Sequence, residues 1–213
     1  SIRRQVEDLL RKESALWELY GVTLDARALQ TEMNRIAINT RAPDRLREQY
    51  GLLENDAEAV ANCLARPLLI ERRLREGYAF DARWHGELRQ RAEAALAAGA
   101  SADALGASGS SEQTLTLVLD HGKEARDPAA ADPGELRLSA DEFARERARL
   151  LPVEPSLPGA APVSAGWNAE LRETAVAFVE EKVLSQSEDR LVVRSRMWSK
   201  QPFEAWWSAR REG

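Results

Sequence analysis

The chain has 213 residues, of which 44% are hydrophobic and 31% are charged, a composition typical of one large globular domain or two small ones. Its formal net charge of −5 disfavours a general nucleic-acid binder, because such proteins are usually basic. No apolar run approaches the roughly 20 residues of a membrane helix, so we expect no membrane insertion.

The first part of the chain shows the apolar spacing of helices. The first helix is predicted to end at Gly21, and Thr23 is a candidate N-cap for the second. A short third helix is predicted to open at Pro43, because proline is favoured in a first helical turn. The chain begins at Ser1 without methionine or a signal peptide, which we interpret as a processed or truncated piece.

A longer helical run follows a capping-box pattern at residues 55–58. Pro67 lies inside this run, and its ring should bend or break the helix within two residues. The single cysteine, Cys63, excludes an internal disulfide, and its apolar neighbours predict that it is buried. A further helix is predicted at residues 81–98.

The pattern changes after residue 98. The predicted elements are a strand at 114–119, a helix at 139–151 that begins with a capping box, two hairpin strands at 174–183 and 190–198, and a short helix after Pro202. Irregular segments are predicted at 100–111, 127–134 and 152–166. The sequence therefore predicts a mainly α, α+β fold, with a helical domain at 1–98 and a small mixed domain with flexible Pro/Ala/Gly loops at 99–213.

No complete catalytic arrangement is evident in the sequence. Of the two histidines, His85 is interpreted as a packing residue within a helix, while His121 is a weak catalytic candidate beyond a strand. No spacing of cysteine and histidine predicts a metal site, and we expect no cofactor.

The C-terminal aromatic residues allow two interpretations. Trp198, Trp206 and Trp207 could fill a core between helix and sheet, or they could form an exposed patch that binds extended peptide together with Phe178. Because neighbouring helix residues point about 100° apart, we expect one of Trp206 and Trp207 to be buried and the other to be partly exposed.

The N-terminal half resembles the helical domain of SurA-type chaperones. The resemblance is carried by residues 6–16, by Tyr20-Gly21-Val22-Thr23, by the helix through Met33 and Ile36, and by the helix at 66–74. Residues 78–81 resemble the segment that leads into a parvulin-type prolyl isomerase domain. The match covers about residues 3–92.

The second half resembles a degenerate parvulin domain. Val163-Ser164, Glu173-Thr174 and the strand through Phe178 match positions of that family. Val179 follows Phe178 where the family has a histidine, and His121 lies beyond the strand in which the family carries another. The resemblance therefore implies a peptide-binding fold more than an active enzyme.

The resemblance implies an extracytoplasmic, periplasmic or secreted, chaperone-like module. It would bind unfolded or extended polypeptide in shallow apolar grooves between helices and at the edge of the small sheet. Two alternatives stay open. One is a weakly active peptidylprolyl cis-trans isomerase that uses His121 with Phe178, and the other is a structural module that contacts other subunits of a larger exported assembly.

Overall fold

The computed structural model describes residues 2–98, 109–121, 134–151 and 171–212. The chain divides into two compact units, Ser1–Asp81 and Ala82–Gly213. The sequence predicted a boundary at residue 98, but the helix before that point belongs to the second unit. Its residue Ala92 is fully buried against Phe178 and Trp198 of the sheet, so its packing partners lie in the second unit. Irregular segments were predicted at 100–111, 127–134 and 152–166, and of these only 109–111 and 134 are described. The first prediction extends too far, because β1 begins at Ser110.

The first unit contains helices only. They are α1 (Ile2–Tyr20), α2 (Ala26–Asn39), α3 (Pro43–Leu52), α4 (Ala57–Val60), a π-helical turn (Ala61–Ala65) and α5 (Arg66–Ala79). Gly21 ends α1 with a positive φ of 64°, as predicted from the preference for glycine at the C-terminal ends of helices. The N-cap of α2 is Asp25 rather than Thr23, because the Asp25 side chain accepts a hydrogen bond from the Ala28 N–H.

The helical run that was predicted to bend or break within two residues of Pro67 is not broken there. The run from residue 57 to residue 79 stays helical, but its hydrogen bonding changes to the π pattern at 61–65, where the Arg66 N–H donates to the Ala61 carbonyl. Pro67 then occupies the first turn of α5, where its missing N–H costs no bond. The wider turn therefore accommodates a proline that a continuous α-helix would not.

The core of the first unit forms where α1 packs against α5. Ala15 and Leu16 on α1 are buried, as are Leu69 and Leu74 on α5. The two helices approach closely at Gly77, because a Cβ there would lie 2.8 Å from ring atoms of Tyr20.

A carboxylate is buried in this helical unit. The Glu32 side chain is 1% exposed and accepts hydrogen bonds from Arg35, at 2.5 Å, and from Arg72, at 2.7 Å. Since Arg35 lies one turn away on α2 and Arg72 lies on α5, this carboxylate joins the two helices. The hydrogen bond from Arg35, and then that from Arg72, lowers the Glu32 pKa against the opposing effect of burial.

The second unit is a mixed α+β structure, so the predicted fold class is confirmed. Its elements are α6 (Ala82–Ala97), β1 (Ser110–Leu119), β2 (Glu135–Leu138), α7 (Ala140–Leu150), β3 (Arg172–Glu173), β4 (Ala177–Gln186), β5 (Arg190–Ser199) and α8 (Phe203–Glu212). One five-stranded sheet has the order β2-β1-β5-β4-β3, with β2 parallel to β1 and the other neighbours antiparallel. The predicted hairpin is β4–β5, and the predicted capping box at Ser139 begins α7.

Both faces of the sheet carry helices. Leu191 and Val193 of β5 point to one face and pack with Phe143 of α7, whereas Trp198 points to the other face and packs with Ala92 of α6. Trp198 shares its face of the strand with Arg194 and Arg196, because side chains alternate along a strand. That charged face also contains a core because α6 covers its end.

Strand β2 was missed by sequence analysis. It has four residues, Glu135-Leu136-Arg137-Leu138, and directly follows the predicted loop at 127–134. Four residues contain only two repeats of the alternating strand pattern, which is too few to distinguish a strand from a loop.

Replacing Glu32 with glutamine should lower the free energy of unfolding by about 1–3 kcal/mol at neutral pH, because two charge-assisted hydrogen bonds are weakened. A carboxylate with a lowered pKa stabilises the fold above its ordinary pKa, near 4.5, and this contribution is lost as the pH falls through the lowered value. The difference in free energy of unfolding between the variant and the parent protein should therefore shrink at acid pH. Urea unfolding at several pH values measures it, with the exposed Glu48→Gln as control. An equal difference at all pH values would contradict this assignment.

Candidate functional site

The weak catalytic candidate His121 lies far from Phe178. His121 lies two residues beyond the end of β1 at Leu119, is exposed, and has its Nε2 4.0 Å from an oxygen of Asp189. Phe178 pairs with Trp198, which in turn pairs with Ser110 at the first residue of β1. At about 3.3 Å per residue, the two ends of β1 are about 30 Å apart. The structure therefore does not bring His121 and Phe178 into one site.

The other histidine is a packing residue, as predicted, since His85 on α6 is buried. Within the described ranges, no group of three or more His, Cys, Asp and Glu side chains could hold a metal ion. The same part of the chain contains no helix long and apolar enough to cross a membrane.

The four aromatic residues predicted to bind peptide are buried. Phe178 and Trp198 are almost fully enclosed, and Trp206 and Trp207 are 6% and 8% exposed. The expectation that one of these two tryptophans is partly exposed is therefore wrong. The ring of Trp206 lies 5.6 Å from that of Trp84 and 6.1 Å from that of Trp207, so α8 is covered over a wider arc than one helix face.

These aromatics form core rather than an exposed patch. Phe178 packs under the cation of Lys200, whose Nζ lies 4.7 Å from the ring centre, and Lys200 also donates to Glu173. A client could reach Phe178, Trp198, Trp206 or Trp207 only if this core opened. Their peptide-binding role stays a prediction.

An open groove lies on the first unit, between α1 and the π-helical turn. We call it the α1 groove; its volume is about 520 Å³. The apolar residues that line it are Ile2, Val6, Leu9, Cys63 and Pro67, and the polar ones are Gln5, Asp8, Lys12, Asn62 and Glu71. Apolar grooves between helices were expected from the sequence resemblance, but no residue pattern located this one.

The α1 groove exists because the apolar stripe of α1 is only partly covered. Toward the C-terminal end of α1, Ala15 and Leu16 are buried. Toward its N-terminal end, Ile2 is 80% exposed, and Val6 and Leu10 are exposed as well. Residues 2, 6 and 9 recur at helical spacing and share one face, so the floor of the groove continues the buried stripe.

Ion pairs form the polar wall of the groove. The Lys12 ammonium lies 2.6 Å from Glu71 of α5 and 3.0 Å from Asp8. Burial lowers the pKa of Lys12, but hydrogen bonds to Glu71 and Asp8 outweigh it, and the net pKa is raised. The next residue of α1, Glu13, pairs with Arg66 of α5. These pairs fix α1 to α5 where the covered part of the stripe begins.

Cys63 is exposed, contrary to the prediction that it is buried. Burial was predicted from its apolar neighbours in sequence. These do not determine which way the Cys63 side chain points, because the π-helical turn at 61–65 rotates the side chains relative to a regular α-helix. The thiol instead lines the α1 groove beside Pro67.

A second groove, of about 450 Å³, crosses the sheet beside α7. We call it the sheet groove. Leucines of β1 and β2, among them Leu115, Leu136 and Leu138, line it together with Arg145 of α7. At one side, Arg149 of α7 donates to Glu181 of β4 at 2.5 Å. Burial raises the Glu181 pKa, but the hydrogen bonds from Arg149 and Arg172 lower it by more, so the net pKa is lowered. The charged carboxylate therefore bridges α7 to the sheet.

Comparison of this chain with family models, with curated proteins and with solved structures found no match. The two grooves and their residues are therefore the basis on which a function can be proposed.

We expect Trp206→Ala and Trp207→Ala each to lower the free energy of unfolding by about 3–5 kcal/mol, the usual cost of emptying an aromatic core site. Trp17 is exposed on α1, so Trp17→Ala should cost about 0.5 kcal/mol or less and serves as the control. Thermal and urea unfolding measure all three. A small loss for either core variant would show that its ring is not part of the core.

We also expect no isomerisation of an X-Pro peptide above the uncatalysed rate, because His121 and Phe178 lie at opposite ends of β1 and do not form one site. The measurement is a standard prolyl isomerisation assay of the parent protein and of His121→Ala. Turnover that disappears in the variant would contradict this expectation.

Proposed function

We propose that this chain is an extracytoplasmic, chaperone-like protein-binding module that holds extended polypeptide in the α1 groove. The observation that carries the proposal is the uncovered half of the α1 stripe, where Ile2, Val6 and Leu10 are exposed beside an open groove. Exposed apolar side chains gathered at one place on a surface are typical of protein interaction sites.

The dimensions of the groove suit a short extended segment. From Ile2 to Lys12 the axis of α1 rises about 15 Å, at 1.5 Å per residue. An extended chain rises about 3.3 Å per residue, so the groove accommodates four or five client residues. Alternate client side chains would point to its floor, where Val6, Leu9 and Pro67 offer apolar contacts.

The charges at the groove favour tolerance of different client sequences. Lys12 already has partners in Glu71 and Asp8, so the polar wall offers a client no isolated charge. Binding then depends mainly on the apolar area that a client covers. The affinity should be modest, because an unfolded client loses conformational entropy when it is held.

The resemblance to SurA-type chaperones supports the same proposal, since the resembling helices are α1, α2 and α5 that form this unit. The extracytoplasmic location is proposed from this resemblance alone. The holding function needs no catalytic group.

A matched pair of isoleucines tests the groove. Ile2 lies in the α1 groove and is 80% exposed, whereas Ile38 on α2 is 81% exposed and does not line the groove. Ile2→Gln should weaken binding of an apolar extended peptide about three- to tenfold, since partial burial of this side chain contributes about 1 kcal/mol. Ile38→Gln should bind as the parent does. Titration of a fluorescent peptide measures both variants.

The single thiol gives an independent readout of the same groove. Because Cys63 lines it, saturating peptide should slow the reaction of Cys63 with a maleimide in the parent protein, and less so in Ile2→Gln. Equal peptide affinities for the two glutamine variants, together with an unchanged maleimide rate, would refute the proposal.

A further inference from the structure

Among the described residues, β2 is the last strand on its side of the sheet. The Thr116 N–H donates to the Gly134 carbonyl and the Asp120 N–H donates to the Leu138 carbonyl, so residues 134, 136 and 138 turn their backbone groups toward β1. Backbone groups alternate in direction along a strand. Glu135 and Arg137 therefore direct their N–H and C=O groups outward, where no strand of the described residues pairs with them.

The side chains along this edge limit which strand can pair with it. Natural proteins blunt strand edges with very short strands, charged side chains, prolines or bulges, and β2 is short and carries two charges of opposite sign. Here Leu136 is 46% exposed and points to the face that carries α7, beside the sheet groove. Glu135 and Arg137 point to the other face, where Arg137 Nη2 lies 3.1 Å from Glu135 Oε1. The edge thus combines outward backbone groups that have no strand partner among the described residues, one exposed leucine and two opposite charges.

We propose that a second copy of this chain pairs with this edge, β2 against β2, to form a two-fold symmetric dimer with one sheet continuous across both copies. In an antiparallel pair, outward-directed residues face one another. A two-fold axis at Leu136 places Glu135 opposite the partner's Arg137, and Arg137 opposite the partner's Glu135. These two pairs make four backbone hydrogen bonds.

Charge selects this register among those that the backbone permits. An axis at residue 135 would place two glutamates directly opposite, and an axis at residue 137 would place two arginines opposite, both of which are destabilising. With the axis at Leu136, opposite charges meet on one face and Leu136 meets the partner's Leu136 on the other. A symmetric interface must be complementary to itself, and Glu-Leu-Arg satisfies this condition.

Charge reversal tests the pairing. Arg137→Glu alone and Glu135→Arg alone each place like charges opposite in the dimer, so the dissociation constant should rise at least tenfold for either variant. An equimolar mixture of the two variants should form a mixed dimer, because every like-charged contact then becomes an opposite-charged one. The doubly swapped chain, Glu135→Arg with Arg137→Glu, should dimerise as the parent does. Analytical ultracentrifugation over a range of concentrations measures all of them, and circular dichroism checks their folding.

Disulfide trapping tests the register independently. Residues at a symmetric pair without hydrogen bonds lie about 4.5 Å apart between Cα atoms, within the disulfide range of roughly 4.4–6.8 Å. In a Cys63→Ser background, Leu136→Cys should form an intermolecular disulfide under mild oxidation. Leu138→Cys is the matched control, because it would lie about 13 Å from its counterpart and should stay reduced.

Several results would overturn the proposal: a monomer at all concentrations, a dimer that neither single reversal weakens, or cross-linking of Leu138→Cys as readily as of Leu136→Cys. Loss of peptide binding in Arg137→Glu without any dimer in the parent would assign the edge to a client strand instead, and it too would overturn the pairing of two copies.

Discussion

The packing of α1 on α5 is the interaction on which the first unit depends. It buries Leu16 against the core around Leu69 and Leu74, and the pairs of Lys12 with Glu71 and of Glu13 with Arg66 fix where this contact begins. Since α1 extends beyond that point toward its N-terminus, its apolar residues Ile2, Val6 and Leu10 are left exposed. The same contact that stabilises the helices therefore creates the α1 groove, and no separate element is needed to form it.

Pro67 influences the backbone conformation beside this groove. A proline within a helical run requires a change in hydrogen bonding, and the π-helical turn at 61–65 supplies it. This turn widens the helix where it faces α1 and places Cys63 and Pro67 on the groove wall. Such turns often occur at functional sites, because they shift side chains that a regular helix would direct elsewhere.

Much of the fold could be predicted from sequence, because long amphipathic helices and the β4–β5 hairpin have strong periodicity and clear capping residues. The site could not, and three errors show why. Cys63 was misplaced because a π-helical turn changes the phase on which burial patterns depend. Trp206 and Trp207 were misjudged because the cover on α8 comes from tertiary packing. Strand β2 was too short to show a period. The exposure of Ile2 and Val6 depends on how closely the partner helix packs against them. The spacing of apolar residues in α1 carries no information about that.

The two proposed surfaces share a physical origin. In the first unit the apolar stripe of α1 exceeds the length that its partner covers, and in the second unit the sheet ends at a strand whose outward groups lack a strand partner among the described residues. The chemistry of the two surfaces differs. The α1 groove offers apolar area without a fixed hydrogen-bond register, which suits variable extended clients, whereas β2 offers directional bonds and two opposite charges, which suit one defined partner. Tolerance on one surface and selectivity on the other follow from that difference.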